Sequence, residues 1–218
     1  MLKIKLKSWK GIFIWDCDDA LLIFIPAFIK YVKKHFGRKI KLKEFTSYKF
    51  HEVYGVGQKT MNVWMDKFYK STEFANLKPE PGAQRLMTLL VKAGYFNASV
   101  TARTTDTRDV TQTQFDDLYP NQILELDFTK DNLSGKRWKK SDLIFHLYGD
   151  HIDGFIDDAG HNAVDVAEKY PNALVFLLRK HWNKDFQDLY ARGELPPNIT
   201  CVEAYEEVEA ILREKGLL

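Results

Sequence analysis

The stretch Gly11-Ile12-Phe13-Ile14-Trp15-Asp16-Cys17-Asp18-Asp19 constrains the fold more than any other part of the chain. Its first five residues carry no charge, and four of them are large and apolar, the pattern of a strand buried on both faces. Three carboxylates then arrive within four positions. Side chains alternate along an extended chain, so Asp16 and Asp18 point the same way while Asp19 begins the turn. Two carboxylates on one side of a strand end repel each other unless a hard cation neutralises them or one keeps a proton. Either arrangement is chemistry rather than packing.

A chain of 218 residues suits one sizeable domain, or a domain carrying a smaller insert. Its 45% apolar and 28% charged residues describe a globular protein rather than a disordered one. The net charge of +2 gives no global electrostatic case for nucleic acid or an anionic membrane. Two cysteines, Cys17 and Cys201, make no disulfide framework, and a reducing cytoplasm is the simplest expected location. Cys17 lies between carboxylates that raise a thiol pKa, which argues against a nucleophile. The alternating apolar and lysine residues at positions 1–7 predict a half-buried edge strand rather than a signal peptide, and the apolar run at 20–29 is too short to span a bilayer.

Helical periodicity runs over 20–36, with Pro26 bending or delaying the helix and Gly37 stopping it. It returns over 58–70, where Met61, Trp64, Met65 and Phe68 form one stripe. The run Pro79-Glu80-Pro81-Gly82 is strong punctuation. Beyond it, strands at 96–101, 122–127, 152–156, 173–178 and 200–202 alternate with helices at 81–93, 106–118, 140–148, 159–169 and 203–215. The expected fold is α/β: a mainly parallel sheet flanked by helices, formed by 1–19 and 79–218, with a small helical cap inserted at 20–78 after the first strand.

In such sheets ligands sit at the carboxyl ends of the strands. Four polar features fall at or just after predicted strand ends: Asp16 and Asp18; Thr101-Ala102-Arg103-Thr104; Lys140, opening the helix before the fourth strand; and Asp157-Asp158. Carboxylates suit Mg²⁺, while a hydroxyl, free backbone N–H groups and a lysine suit a phosphate. A cation on each side of a phosphoryl group offsets its developing charge.

Asp16-Cys17-Asp18-Asp19, Thr101, Lys140 and Asp157-Asp158 resemble, in order, the four motifs of haloacid-dehalogenase (HAD)-type phosphatases, and the insert resembles that superfamily's helical cap. More narrowly, Asp16-Cys17-Asp18-Asp19-Ala20-Leu21, Pro26-Ala27-Phe28 and Thr46-Ser47-Tyr48 resemble the 5′(3′)-deoxyribonucleotidase-like branch, from which Ile23 departs where that branch often carries Asp or Asn. The resemblance implies a Mg²⁺-dependent phosphomonoesterase in which Asp16 attacks phosphorus to form an aspartyl-phosphate and Asp18 is the general acid and base. It implies that Asp16, the backbone carbonyl of Asp18, and Asp157 bind Mg²⁺. Asp158 then ligates through water or orients its neighbour. Thr101, the Ala102 N–H and Lys140 hold the phosphate. Phe24, Phe28, Trp64 and Phe74 of the cap are candidates to stack on a base. The expected partner is a small phosphorylated substrate, a nucleotide foremost, with no membrane and no strong case for nucleic acid; an oligomer is not excluded.

Several bland readings stand beside these. Aspartates at strand ends often only form turns, and Asp157-Asp158 before Ala159-Gly160 could be a helix cap. Lys140 is preferred to Lys139 because it adjoins Ser141-Asp142, a helix-opening pair. Cap aromatics are more often core than a base clamp. Arg103 could grip a substrate or pair with Asp106. Glu206, Glu207 and Glu209 read as a solvated helix face, and Asp150 and Asp153 as loop residues. Residues 55–60 lack the spacing of a phosphate loop, and the six histidines show no zinc-ligand spacing. Rival functions are a phosphatase of nucleic-acid ends or phosphosugars, and a non-catalytic nucleotide-binding protein of the same fold.

Overall fold

The computed structural model describes residues 8–131 and 134–218, so the edge strand expected at 1–7 lies outside the described residues. Six strands form one parallel sheet: β1 (Gly11–Trp15), β2 (Tyr95–Thr104), β3 (Glu125–Lys130), β4 (Gly154–Asp157), β5 (Leu174–Leu178) and β6 (Ile199–Val202). Their order is β3-β2-β1-β4-β5-β6. This is the doubly wound arrangement: the chain steps outward from β1 to β3, then returns to the other side of β1. The reversal leaves a crevice beyond the carboxyl ends of β1 and β4, and those ends are Asp16 and Asp157.

Alternation along β1 divides the core. Phe13 and Trp15 join a cluster with α5 (Ala83–Lys92) and α10 (Tyr205–Glu214), through Leu86, Leu90, Val208 and Leu212. Ile12 and Ile14 join a second cluster with α7 (Lys140–Tyr148) and α8 (Gly160–Lys169), through Leu143, Ile144, Ala163 and Val166. Asp16 continues the parity of Ile12 and Ile14, which is the side where Lys140 opens α7.

Between β1 and β2 lies the inserted helical region: α1 (Ile25–Phe36), α2 (Phe50–Val53), α3 (Gln58–Tyr69) and α4 (Thr72–Ala75). Its helix α1 starts at Ile25 rather than at 20. Asp19 takes a left-handed φ of 57°, and its carboxylate accepts the N–H groups of Phe24 and Ile25, at 3.0 and 3.1 Å. The side chain thereby caps a helix that begins six residues later. Gly37 ends that helix at φ 70°, as expected. The two connections to the sheet run side by side: Ile23 donates to the Lys78 carbonyl and Glu80 to that of Leu21, both at 2.8 Å.

Two strands differ from expectation in a way that bears on the site. Strand β2 continues past Thr101 to Thr104, with a shift of register against β3 between those residues. Strand β3 ends at Lys130 instead of Asp127, because a turn through Asn121, at φ 59°, delays pairing until Leu124 donates to Asn97. The helix α6 (Arg108–Leu118) is preceded by a single 3₁₀ turn over Thr105–Thr107. Helix α9 (Lys184–Ala191) is not among the helices read from the sequence; it buries no residue fully, though Phe186 and Tyr190 pack partly buried against the second cluster. Glu209 is not on a solvated face but is buried between Arg85 and Arg213, at 3.0 and 2.9 Å. Asp153 also does more than fill a loop, since it accepts the Ile12 N–H at 2.8 Å and pins the start of β1. Among the described residues no helix is long and apolar enough to cross a membrane.

Gly154 shows how closely β1 and β4 are packed. A Cβ there would lie 2.2 Å from the buried Phe13 ring. Gly154→Ala is expected to cost about 1–3 kcal/mol of stability by overpacking, measurable as a lower urea midpoint with unchanged slope.

Candidate active site

The crevice holds a compact charged cluster. Carboxylate oxygens of Asp16, Asp157 and Asp158 lie within 4.8 Å of one another, and all three residues are buried. Lys140, equally buried, donates from Nζ to Asp16 Oδ1 and, at 2.6 Å, to Asp157 Oδ2. Asp157 is further held by the Ala159 N–H at 2.6 Å and Asn162 Nδ2 at 3.1 Å. Asp158 accepts from Trp182 Nε1 at 2.6 Å, and the Tyr48 hydroxyl lies 2.9 Å from the same oxygen and 2.6 Å from the Asp158 carbonyl.

Burial dominates the electrostatics. It pushes the Asp16 carboxyl up to about 6, against the attraction of Lys140 and with Asp157 adding to the rise. Asp158 is raised further, by burial and then by Asp157 and Asp16. Burial disfavours the Lys140 charge, but Asp157 and Asp16 outweigh it, so the ammonium is held more firmly than usual. Three hard oxygen donors facing one lysine leave an uncompensated negative charge, which is the donor set a divalent ion such as Mg²⁺ prefers. The residues therefore fit the metal the sequence implied.

A cavity of about 240 Å³ opens over this cluster, lined by Asp16, Asp18, Thr101, Ala102 and Asp158 on the sheet side and by Phe24, Tyr48, Phe50, Met65 and Tyr69 on the inserted side. Thr101 and Ala102 thus reach the aspartates, because β2 neighbours β1. Lys140 and not Lys139 enters the cluster; the Lys139 ammonium is largely exposed and stands 3.5 Å from Asp165. Of the four cap aromatics, Phe24 alone lines the cavity. Phe28, Trp64 and Phe74 are buried within the inserted helices, where Phe28 and Phe74 pack against Phe68, and Trp64 stacks on Phe36. Phe50 and Tyr69 take the wall positions that a stripe on one helix could not reveal. Cys17 is buried with its thiol pKa raised by that burial, in keeping with the expectation that it is no nucleophile.

Asp18 meets a partner the sequence did not suggest. Arg103, fully buried, grips its carboxylate through Nε at 3.1 Å and Nη2 at 2.6 Å. Thr111 and Gln114 accept from Nη1 of Arg103 at 2.7 and 2.9 Å, and its guanidinium lies 4.5 Å from the Phe74 ring centroid. Asp106 instead bonds the Thr104 hydroxyl. Burial raises the Asp18 pKa, with Arg103 opposing. The i+2 position of Arg103 after Thr101 was a usable signal, since both side chains turn to the same side of β2.

No protein-family model and no curated protein matches the sequence. Solved structures do match the fold. A predicted phosphatase from Clostridium acetobutylicum aligns over 95% of this chain and 100% of its own, at 18% identity and a TM-score of 0.65. A HAD family hydrolase from Deinococcus radiodurans R1, with bound phosphate and sodium, aligns over 97% and 98%, at 14% identity and a TM-score of 0.63. Protein tyrosine kinase A of Mycobacterium tuberculosis aligns over 78% and 84%, at 16% identity and a TM-score of 0.58. The chain thus shares the fold of these HAD-like hydrolases, and its buried aspartates form a group able to hold a metal ion.

An acid whose pKa is higher folded than unfolded binds more protons when folded, so its contribution to stability falls as pH rises. For Asp16 that window runs from 3.8 to about 6. In chelator, the melting temperature of the wild type relative to Asp16→Asn is expected to fall as pH rises through this window, and Mg²⁺ is expected to recover it. Thermal melts of both proteins across the range, with and without Mg²⁺, provide the check.

Proposed function

We propose that this protein is a Mg²⁺-dependent phosphomonoester hydrolase acting on a small phosphorylated metabolite, with a nucleotide or deoxynucleotide as the leading substrate. The observation that carries the reading is the meeting of Asp16, Asp157 and Lys140 in one hydrogen-bonded cluster, with Thr101 lining the cavity above it. These residues come from four separate parts of the chain, and a structural role alone gives no reason for so much buried charge.

In this reading Asp16 attacks phosphorus and carries an aspartyl-phosphate. Asp18 gives a proton to the leaving oxygen and later takes one from the attacking water. Thr101, the Ala102 N–H and Lys140 hold the phosphoryl oxygens. Asp16, the Asp18 carbonyl and Asp157 would hold Mg²⁺, with Asp158 beside them, and the bound ion would neutralise charge on the phosphoryl group. Residues 20–78 act as a cap that selects the leaving group. Phe24, Phe50 and Tyr69 give that cap an aromatic wall, which supports a base as part of the substrate. The cavity's modest size favours a small molecule over a nucleic-acid end.

Phosphate release from a panel of nucleotides and phosphosugars, with and without Mg²⁺, tests the activity. Asp16→Asn is expected to lower kcat by at least about a hundredfold, because covalent catalysis depends on the nucleophile; a loss below about tenfold rejects the role. Lys140→Ala is expected to lose activity on a similar scale, while Lys139→Ala stays within about twofold of wild type, as for an exposed pair. Steady-state phosphate release on the two lysine variants separates them.

A further inference from the structure

One cation beside the cluster has no work in the scheme above. Lys130 is the last residue of β3 and is half-buried. Its side chain makes no hydrogen bond or ion pair among the described residues. Burial lowers its pKa, and the neighbouring Arg137 and Lys140 lower it further; Asp18, already gripped by Arg103, opposes them. A lysine kept partly out of water beside two other cations is unfavourable unless an anion joins it.

The space around Lys130 matches that need. It lines the cavity over the aspartates and also a neighbouring groove of about 440 Å³, which shares Ala102, His161 and Asn162 with the cavity. The groove continues past Lys139 and Trp138, and among the described residues Asp165 is its only acidic lining residue. Asp165 lies 3.5 Å from Lys139 and leaves Lys130 unmatched. Burial and the nearby Lys140 lower the His161 pKa, so its imidazole does not bring a further charge of its own at neutral pH. Lys130 therefore stands where the cavity joins the groove.

We propose that, among phosphomonoesters, the site favours those whose leaving group bears a second anion, a carboxylate or a second phosphate, which among nucleotides means a bisphosphate over a monophosphate, and that Lys130 holds that anion. The inference deepens the phosphatase reading and, for turnover, rests on it. Lys130 is a specificity-determining residue here, since it grips the part of the substrate that does not react. A charge-assisted contact of this kind is worth roughly tenfold or more in kcat/KM.

The test compares matched esters: phosphoglycolate against ethyl phosphate, and propanediol bisphosphate against propyl phosphate. Wild type is expected to favour the second-anion member of at least one pair by about tenfold or more in kcat/KM; the first pair isolates a carboxylate and the second a phosphate. Lys130→Met, which keeps the aliphatic stem, is expected to bring that ratio near one, and Lys130→Arg to restore most of it. A second measurement is independent of turnover: the rise in melting temperature of each protein, with Mg²⁺ present, on adding pyrophosphate or inorganic phosphate. Wild type is expected to gain more from pyrophosphate, and Lys130→Met to lose that difference. If no ester is hydrolysed, the phosphatase reading fails and the melting arm still decides the role of Lys130. Equal ratios in wild type and Lys130→Met, or with no turnover equal melting differences, overturn the inference.

Discussion

Lys140 bridging Asp16 and Asp157 is the interaction on which the arrangement of the crevice depends. Like charges at the ends of adjacent strands repel, and burial makes that repulsion stronger. A single buried ammonium lets both carboxylates approach while α7 and α8 are drawn against the second core cluster. Breaking one side of such a contact leaves an unpaired charge away from water, which is why the strand order, the start of α7 and the cluster are mutually constraining. Doubly wound topology supplies the place, and the lysine makes the place tenable.

Asp18 is held in a different way. Where Asp16 faces a point charge, Asp18 sits in the planar fork of Arg103, whose remaining donors reach α6 through Thr111 and Gln114. The same guanidinium lies over Phe74 of the inserted helices. The carboxylate proposed to move protons is therefore fastened to both the sheet and the insert by one side chain. Arg103 thus touches Asp18, α6 and Phe74 of α4 at once.

Much of this was legible in the chain because local patterns and tertiary demands coincide. The uncharged run before Asp16 can only be a buried strand, and the strand–helix alternation after Gly82 fixes a parallel sheet with its polar residues at one edge. What escaped was set by contacts between distant residues. Asp19 capping α1 through the Phe24 and Ile25 amides moves the helix start by several residues, and a left-handed Asn121 slides β3 until Lys130 becomes its rim. The Arg103–Asp18 pair spans 85 positions, so strand alternation could tell which way Arg103 turns but not what it meets. The stripe of Met61, Trp64 and Phe68 in α3 correctly marks a buried face, but burial alone does not say whether a ring faces a cavity or another ring.

The paired connections at Leu21–Ile23 and Lys78–Glu80 carry a consequence of their own. Because the inserted helices leave and rejoin the sheet at one seam, the distance between their ends is nearly independent of what lies between them. The strand order, and the pairing of β1 with β4 that brings Asp16 near Asp157, do not run through that cassette. Beyond that seam the insert is tied to the crevice by a few side chains, Tyr48 on Asp158 and Phe74 beneath Arg103, so any exchange that spares those contacts leaves the sheet's own hydrogen bonding as it is.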